Sequence, residues 1–287
     1  MENSKKDFQR LNMMNRIKYF VYTSNLENTE IIEKLDGKKI SILDVRSAVY
    51  VATGIAAQCK EIVMVIVDSS NASRSAFSGM TEAFYRNLPI ILVSVGTNLD
   101  YKTELNDIIN NHYVVNSIDE IKGLLDSKLP MHIEVKVEDK GVEQKRSKVF
   151  KYLGNILEEQ AYLYIGQSLA INEEIFACKV VRGGTLKCAD GALANILGAS
   201  LSRRRKRYIG VVTEEEVLHD LNTLGNININ NTLLYIVLTS KENKLIFEYV
   251  KSLGFECVIF PERNLSQQEL VNIINNGKKS LIMICGD

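Results

Sequence analysis

The chain has the length, composition and charge of an ordinary globular protein. Its 287 residues suffice for about two domains, and a content of 46% hydrophobic and 24% charged residues excludes a disordered or fibrous class. Because 35 basic and 35 acidic side chains cancel, we expect no nucleic-acid partner. The apolar runs are far shorter than the roughly 20 residues of a membrane span, and the chain opens without a secretory pattern. These features predict a cytoplasmic protein that does not contact a membrane.

Cysteine and histidine are sparse in this sequence. The five cysteines form no close pair such as C-x-x-C, and there are only three histidines. This spacing is typical of reduced thiols and predicts neither a disulfide framework nor a zinc site.

The first half alternates strand patterns with helix patterns. A continuous β-branched run over 61–67 indicates a strand covered on both faces, and small residues over 47–58 indicate a closely packed helix. Strand, helix and strand in succession predict a parallel sheet. The predicted elements are strand 39–43, helix 47–58, strand 61–67, loop 68–75, helix 78–86, strand 89–95, helix 118–125 and strand 131–137.

The second half repeats this alternation after a charged segment. Residues 138–147 carry six charged side chains and one large aliphatic residue, which predicts a solvated linker. We therefore predict an α/β protein with two doubly wound parallel-sheet domains, divided into an N-terminal extension (1–17), a first domain (18–137), the linker (138–147) and a second domain (148–287). The predicted elements of the second domain are helix 149–161, strand 162–165, helix 191–202, strand 208–212, helix 215–224, strand 233–238, helix 244–253, strand 257–260, helix 266–275 and strand 280–285.

Five segments resemble one enzyme family. YVATGIAA at 50–57, NASR at 71–74 and GMTEAFYRNLPIILVS at 79–94 are similar to the pyrimidine-binding domain of thiamine diphosphate (ThDP) dependent enzymes. GALANILGASLS at 191–202 and VLHDLNTLG at 217–225 resemble the diphosphate-binding domain of the same family, which includes acetolactate synthase and the 2-oxo acid decarboxylases. The resemblance covers about residues 18–287 and implies the ThDP-binding fold for both domains. The large middle domain of most members is missing, as in the smaller decarboxylases that act on sulfo- and phosphonopyruvate.

The resemblance implies a proton relay that this chain lacks. In the family, a Glu within E-R-S-A hydrogen-bonds the aminopyrimidine ring of the cofactor. Here the segment reads Val45-Arg46-Ser47-Ala48, so a hydrocarbon stands at the catalytic position. Asp44 is the acid next to it, but neighbouring residues of a strand point to opposite faces. Asp44 would replace the Glu only if the register shifted by one residue.

The resemblance also implies an Mg²⁺ site whose signature residues are replaced. The family's G-D-G corresponds to Thr213-Glu214-Glu215, and its N-N corresponds to Thr239-Ser240. Glu214 and Thr239 are the remaining candidate Mg²⁺ ligands, although the acidic residues 214–216 equally suit a helix start. The candidate cofactor-binding residues are Ser69, Ser70, Asn71, Ser73, Gly191, Thr213 and Glu215.

Two hypotheses about function follow. In the first, the chain is a ThDP enzyme-like protein with a degenerate active site, a non-catalytic scaffold or a binder of another ligand, and it binds ThDP and Mg²⁺ weakly or not at all. In the alternative, it is a divergent ThDP-dependent 2-oxo acid decarboxylase or carboligase. Because the family shares each cofactor site between subunits, the resemblance implies a homodimer or homotetramer with a small-molecule ligand in the cleft between subunits. A competent homologous subunit is a further expected partner.

Overall fold

The chain divides into two compact units, each with its own sheet. A computed structural model describes residues 17–23, 31–68, 72–96, 105–137, 148–166, 169, 171, 173–182, 191–202, 205–225 and 233–286. Unit 1 comprises Met1–Gly141 and unit 2 comprises Val142–Asp287. Within the described ranges, no helix combines the length and the apolar character that crossing a bilayer requires.

Unit 1 contains a six-stranded sheet in the order β2-β1-β3-β4-β6-β5. Every pair of neighbouring strands in it is parallel. The strands are β1 (Tyr19–Thr23), β2 (Lys38–Ile42), β3 (Val63–Asp68), β4 (Ile90–Gly96), β5 (Asn111–Val115) and β6 (Met131–Lys136). The helices are α1 (Val45–Cys59) and α2 (Ala72–Tyr85), with 3-10 turns at Asn106–Ile108 and Ile118–Leu124.

Unit 2 contains a second six-stranded sheet in the order β11-β12-β10-β9-β7-β8. Its neighbouring strands are also parallel. The strands are β7 (Ala161–Ile165), β8 (Lys179–Arg182), β9 (Arg207–Thr213), β10 (Leu233–Thr239), β11 (Glu256–Pro261) and β12 (Ser280–Cys285). The helices are α3 (Lys148–Ile156), α4 (Ala192–Leu201), α5 (Glu214–Asp220), α6 (Lys244–Ser252) and α7 (Gln267–Asn275), with 3-10 turns at Glu173–Ile175, Leu221–Gly225 and Glu262–Asn264.

The two sheets have the same strand order. Numbered from one to six within its own unit, each sheet reads 2-1-3-4-6-5. The chain leaves strand 1 toward one edge of the sheet and leaves strand 3 toward the other, which is the doubly wound arrangement. The predicted fold class, an α/β protein with two doubly wound parallel sheets, is confirmed. The repeat is one of topology, since no internal repeat is apparent in the sequence.

Apolar clusters cover both faces of the central strands, as the β-branched runs predict. In β3, Val65 and Val67 pack on the side of α1 and α2, whereas Met64 and Ile66 pack on the opposite side. A Cβ added at Gly79 of α2 would overlap the side chain of Val49 in α1. This glycine therefore serves close helix packing within unit 1.

Several elements differ from those that the sequence pattern predicts. The pattern missed β1, β5 and β8, which are four or five residues long and mix polar with apolar side chains. Helix α2 begins at Ala72, so Ser73 lies in its first turn and not in the predicted loop. The segment Ile118–Leu124 is a 3-10 helix. Short elements such as these take their conformation from neighbours in the sheet, and a local pattern carries little of that information.

Candidate functional site at the carboxyl edge of the second sheet

The crevice of a doubly wound sheet lies where strands 1 and 3 end, because the connections from these strands depart in opposite directions. In unit 2 these strands are β7 and β9, which pair directly with Ile165 beside Val211. Gly166 follows β7, and Thr213 ends β9. The N–H of Gly166 donates to the carbonyl of Val211 at 2.8 Å. Any ligand of unit 2 is therefore expected first at this edge.

The buried carboxylate of Glu216 lies at this edge. Thr213 is the N-cap of α5, and its backbone N–H donates to Glu216 Oε2 at 2.8 Å, while the Glu216 N–H donates to Thr213 Oγ1 at 3.3 Å. This reciprocal pair is a capping box, the arrangement that a Thr followed three residues later by Glu predicts. Glu216 is 1% exposed, and a Cβ added at Gly166 would overlap its carboxylate oxygens. Glu216 thus fills the space beside Gly166.

The carboxylate of Glu214 connects the ends of two neighbouring strands. Its Oε2 accepts a hydrogen bond from Thr239 Oγ1 at the end of β10, and its Oε1 accepts from Asn243 Nδ2 at 2.6 Å. Asn243 is in turn the N-cap of α6, where its Oδ1 accepts from the Ile246 N–H at 3.2 Å. Glu214 therefore acts as an acceptor that ties the start of α5 to the start of α6.

These residues do not fit an Mg²⁺ ion with a diphosphate. Mg²⁺ requires several oxygen ligands in near-octahedral geometry, whereas Asn243 directs its NH₂ group at Glu214 and both Glu214 oxygens already face donors. The carboxylates of Glu214 and Glu216 would also repel a diphosphate. This edge therefore lacks the ligand set that an Mg²⁺-assisted step would need.

A thiol at the neighbouring strand end has its pKa shifted toward the protonated form. Cys285 ends β12, beside the end of β10. Burial, followed by the nearby carboxylates of Glu242 and Glu214, raises the pKa of the Cys285 thiol. This shift disfavours the thiolate, which is the reactive form of a cysteine.

The other candidates of the second half are in less specific positions. Gly191 caps α4 with φ of 83°, a left-handed conformation that favours glycine, and its carbonyl accepts from Asn195. Glu215 is exposed in the first turn of α5. Ser69, Ser70 and Asn71 lie outside the described residues, as does the side chain of Ser73.

In unit 1, the two residues at the expected proton-relay position have structural roles. Asp44 is the N-cap of α1, and its Oδ1 accepts from the Ser47 N–H at 2.9 Å. Val45 begins that helix and packs, half-buried, against the apolar cluster on this side of the sheet. Asp44 precedes the helix, so the strand-register argument by which it would replace the family Glu does not apply.

Sequence reasoning missed three residues of this edge. Gly166, Glu216 and Asn243 were not among the candidates. The signal for Glu216 was its spacing from Thr213, and the signal for Asn243 was its place just before a helix pattern. Gly166 carried no signal, because its contact with Glu216 arises from pairing β7 with β9.

Comparisons with known proteins give matches among solved structures. No family model matches the chain, and neither does any curated protein. One similar structure is the ThDP-dependent 4-hydroxybenzoylformate decarboxylase of Rhodococcus jostii RHA1, with 7% identity, a TM-score of 0.39 and coverage of 98% of both chains. Another, from Mycobacterium smegmatis, is described as a thiamin diphosphate-dependent enzyme, with 7% identity, a TM-score of 0.40 and coverage of 97% of this chain and 98% of that chain.

Both descriptions name the class of enzyme that the sequence segments resemble. TM-scores and identities this low assign no function, so the function proposed below depends on the chain's own side chains.

Proposed function

We propose that this chain is a ThDP enzyme-like protein whose active site is degenerate, and that it acts as a non-catalytic scaffold or as a binder of a different small molecule. The observation that carries the proposal is the arrangement around Glu214. Both oxygens of this carboxylate accept hydrogen bonds from protein side chains. The residue at the expected metal position therefore holds two helix starts together.

The residues at the relay position support the same proposal. A ThDP enzyme needs a carboxylate that exchanges a proton with the cofactor. Val45 has no titratable group, and Asp44 accepts from the first turn of its helix. The residues at the relay position in unit 1 and at the metal position in unit 2 thus both stabilise the start of a helix.

The proposal includes an oligomer. We expect a homodimer or a homotetramer. Every copy of this chain carries the same Val45 and Glu214, so only an assembly with a competent homologous subunit would supply the missing groups. The ligand would then be a small molecule in the cleft between subunits.

Calorimetry with ThDP and Mg²⁺ tests the proposal on the full chain. We expect no binding at micromolar concentration and no release of CO₂ from pyruvate. The matched variant rebuilds Thr213-Glu214-Glu215 as Gly-Asp-Gly and Thr239-Ser240 as Asn-Asn. We expect it to gain affinity for ThDP and to remain inactive, because Val45 still cannot relay a proton.

The opposite result would favour a divergent decarboxylase or carboligase. Micromolar binding of ThDP by the wild-type chain, together with CO₂ release from a 2-oxo acid, would show that another group relays the proton. Asp44→Asn would then be the first variant to measure, since amide for carboxylate preserves the helix cap.

A further inference from the structure

A polar cluster lies on one face of the sheet in unit 1. In β6, Met131, Ile133 and Val135 pack into an apolar cluster. The alternation of a strand directs His132 and Glu134 to the opposite face. His112 of β5 is the register partner of His132, and Ser94 of β4 is the register partner of Glu134. Three adjacent strands therefore bring two imidazoles, a carboxylate and a hydroxyl to one place.

The nitrogen and oxygen atoms of this cluster are close enough together to bind one ion. One ring nitrogen from each of His112 and His132 and one carboxylate oxygen of Glu134 all lie within 4.8 Å of one another. His112 Nε2 is 2.8 Å from Glu134 Oε1, and His132 Nε2 is 2.7 Å from Ser94 Oγ. The two imidazole rings are 5.2 Å apart. Small side-chain adjustments would place the three ligand atoms around a single ion.

One oxygen of the cluster lacks a partner. Glu134 is 1% exposed, and its Oε2 has no hydrogen-bond partner among the residues that the structure describes. A buried carboxylate oxygen left in this way is costly. A cation bound at Oε2 would remove that cost.

The hydrogen bond of His132 also suits a metal ligand. His132 is 1% exposed, and its Nε2 lies 2.7 Å from Ser94 Oγ. A histidine binds a metal ion through a ring nitrogen that carries no proton. If His132 Nε2 donates a hydrogen bond to Ser94 Oγ, then Nδ1 carries the lone pair that would bind the ion. A hydrogen bond from the second ring nitrogen is typical of histidines that bind metal ions.

We propose that His112, His132 and Glu134 bind a divalent transition-metal ion of the Zn²⁺ class, with Ser94 orienting His132. Two imidazoles and one carboxylate form a known ligand set for Zn²⁺, and they also hold Fe²⁺ in oxygenases. Mg²⁺ and Ca²⁺ prefer oxygen ligands throughout. Any proton on His112 leaves to solvent as the ion binds, since both imidazoles must be neutral. The site lies in unit 1 and does not depend on the function proposed above.

Titration of the metal-stripped full chain tests the site. We expect calorimetry to detect one high-affinity Zn²⁺ per chain, and Co²⁺ to give the visible absorption of a nitrogen- and oxygen-ligated ion without a thiolate band. Anaerobic titration with Fe²⁺ ranks the two ions that the ligand set accepts. Zn²⁺ should also raise the melting temperature of the wild-type chain.

Three variants and one control define the ligands. His112→Asn and Glu134→Gln should each weaken Zn²⁺ binding by more than the roughly 10- to 100-fold that loss of an outer-shell partner costs. Ser94→Ala should weaken it by about 10-fold. His219→Asn changes the third histidine of the chain, in α5, and should leave affinity unchanged.

The proposal has clear contrary results. A folded wild-type chain that binds neither Zn²⁺ nor Fe²⁺ would overturn it, as would His112→Asn binding Zn²⁺ as tightly as the wild type. A thiolate band with Co²⁺ would assign the ion to a cysteine instead. If Glu134→Gln fails to fold, His112→Asn decides the question alone, because His112 is the most exposed of the three residues.

Discussion

Corresponding positions of the two sheets carry opposite kinds of side chain. In unit 1, Ser94 pairs with Glu134 and His112 pairs with His132. In unit 2, strands β10, β11 and β12 correspond to β4, β5 and β6. At the same positions along these strands, Val237 pairs with Met283 and Cys257 pairs with Leu281. These four side chains belong to the apolar face beside α4 and α6. One topology therefore folds with either set, so the polar set of unit 1 is not a requirement of the fold.

The carboxylates at the edge of unit 2 and in the polar cluster of unit 1 differ in how completely their oxygens are hydrogen-bonded. At the carboxyl edge of unit 2, both oxygens of Glu214 accept hydrogen bonds and Glu216 completes a capping box. In unit 1, Glu134 keeps a buried oxygen without a partner in the described chain. Satisfied groups act as structural ties, whereas a buried oxygen without a partner needs an explanation, and a bound ion is one. The contrast favours the proposed metal site in unit 1 over the edge where the family resemblance would put it.

The largest expected effect concerns the buried carboxylate of unit 2. Gly166→Ala places a methyl group against Glu216, and we expect a loss of about 2 to 3 kcal/mol in the free energy of unfolding from overpacking and a disturbed capping box. Denaturant unfolding measures it. The control, Gly198→Ala in α4, meets nothing within 4 Å and should gain about 0.5 to 1 kcal/mol from helix propensity. Equal behaviour of the two variants would mean that Glu216 is loosely held.

An intermediate effect on the free energy of unfolding is expected when residues of the polar cluster in unit 1 are replaced by the apolar residues of unit 2. The triple variant Ser94→Val, His132→Leu and Glu134→Met replaces three of the four residues of the cluster by those at corresponding steps and keeps His112, which is partly exposed. Because exchanging a buried polar pair for hydrocarbon is often neutral or stabilising, we expect the metal-free variant to stay within about 2 kcal/mol of the wild type. Chemical denaturation in the presence of EDTA measures this. A much larger loss would mean that the cluster is needed for folding.

The smallest effect on the free energy of unfolding is expected at the contact between Glu214 and Asn243. Asn243→Asp keeps an equally good helix cap but places a second carboxylate against Glu214, so we expect a loss of about 1 kcal/mol. Asn243→Ser, which also caps the helix, is the control without the added charge. Millimolar Mg²⁺ should not restore the loss in the Asp variant. Recovery with Mg²⁺ would indicate that a cation can bind between the two side chains.

The sequence predicted the longest apolar strands and missed three short strands that include polar side chains. The runs that became β3, β4 and β10 are almost wholly apolar, and such runs identify central parallel strands without further information. In contrast, β5 reads Asn111-His112-Tyr113-Val114-Val115, a short segment in which two polar residues precede three strand-favouring ones. Its conformation comes from hydrogen bonding to β6, which no local window contains.

Helix starts also carry short-range signals in the sequence. The spacing of Thr213 and Glu216, and the position of Asp44 before its helix, are capping signals that act over three residues. The sequence alone also indicated that Val45 cannot relay a proton, because that follows from its chemistry and needs no geometry.

Only the tertiary structure decided which polar residues meet. His112 and His132 are 20 positions apart, and Ser94 is a further 18 positions from His112, so their sparse spacing predicted no metal site. Their meeting depends on strand order β4-β6-β5 and on a register that pairs His112 with His132. Strand order and register are set by the burial of apolar side chains summed over a whole unit, which is why no short stretch of the chain could specify this cluster.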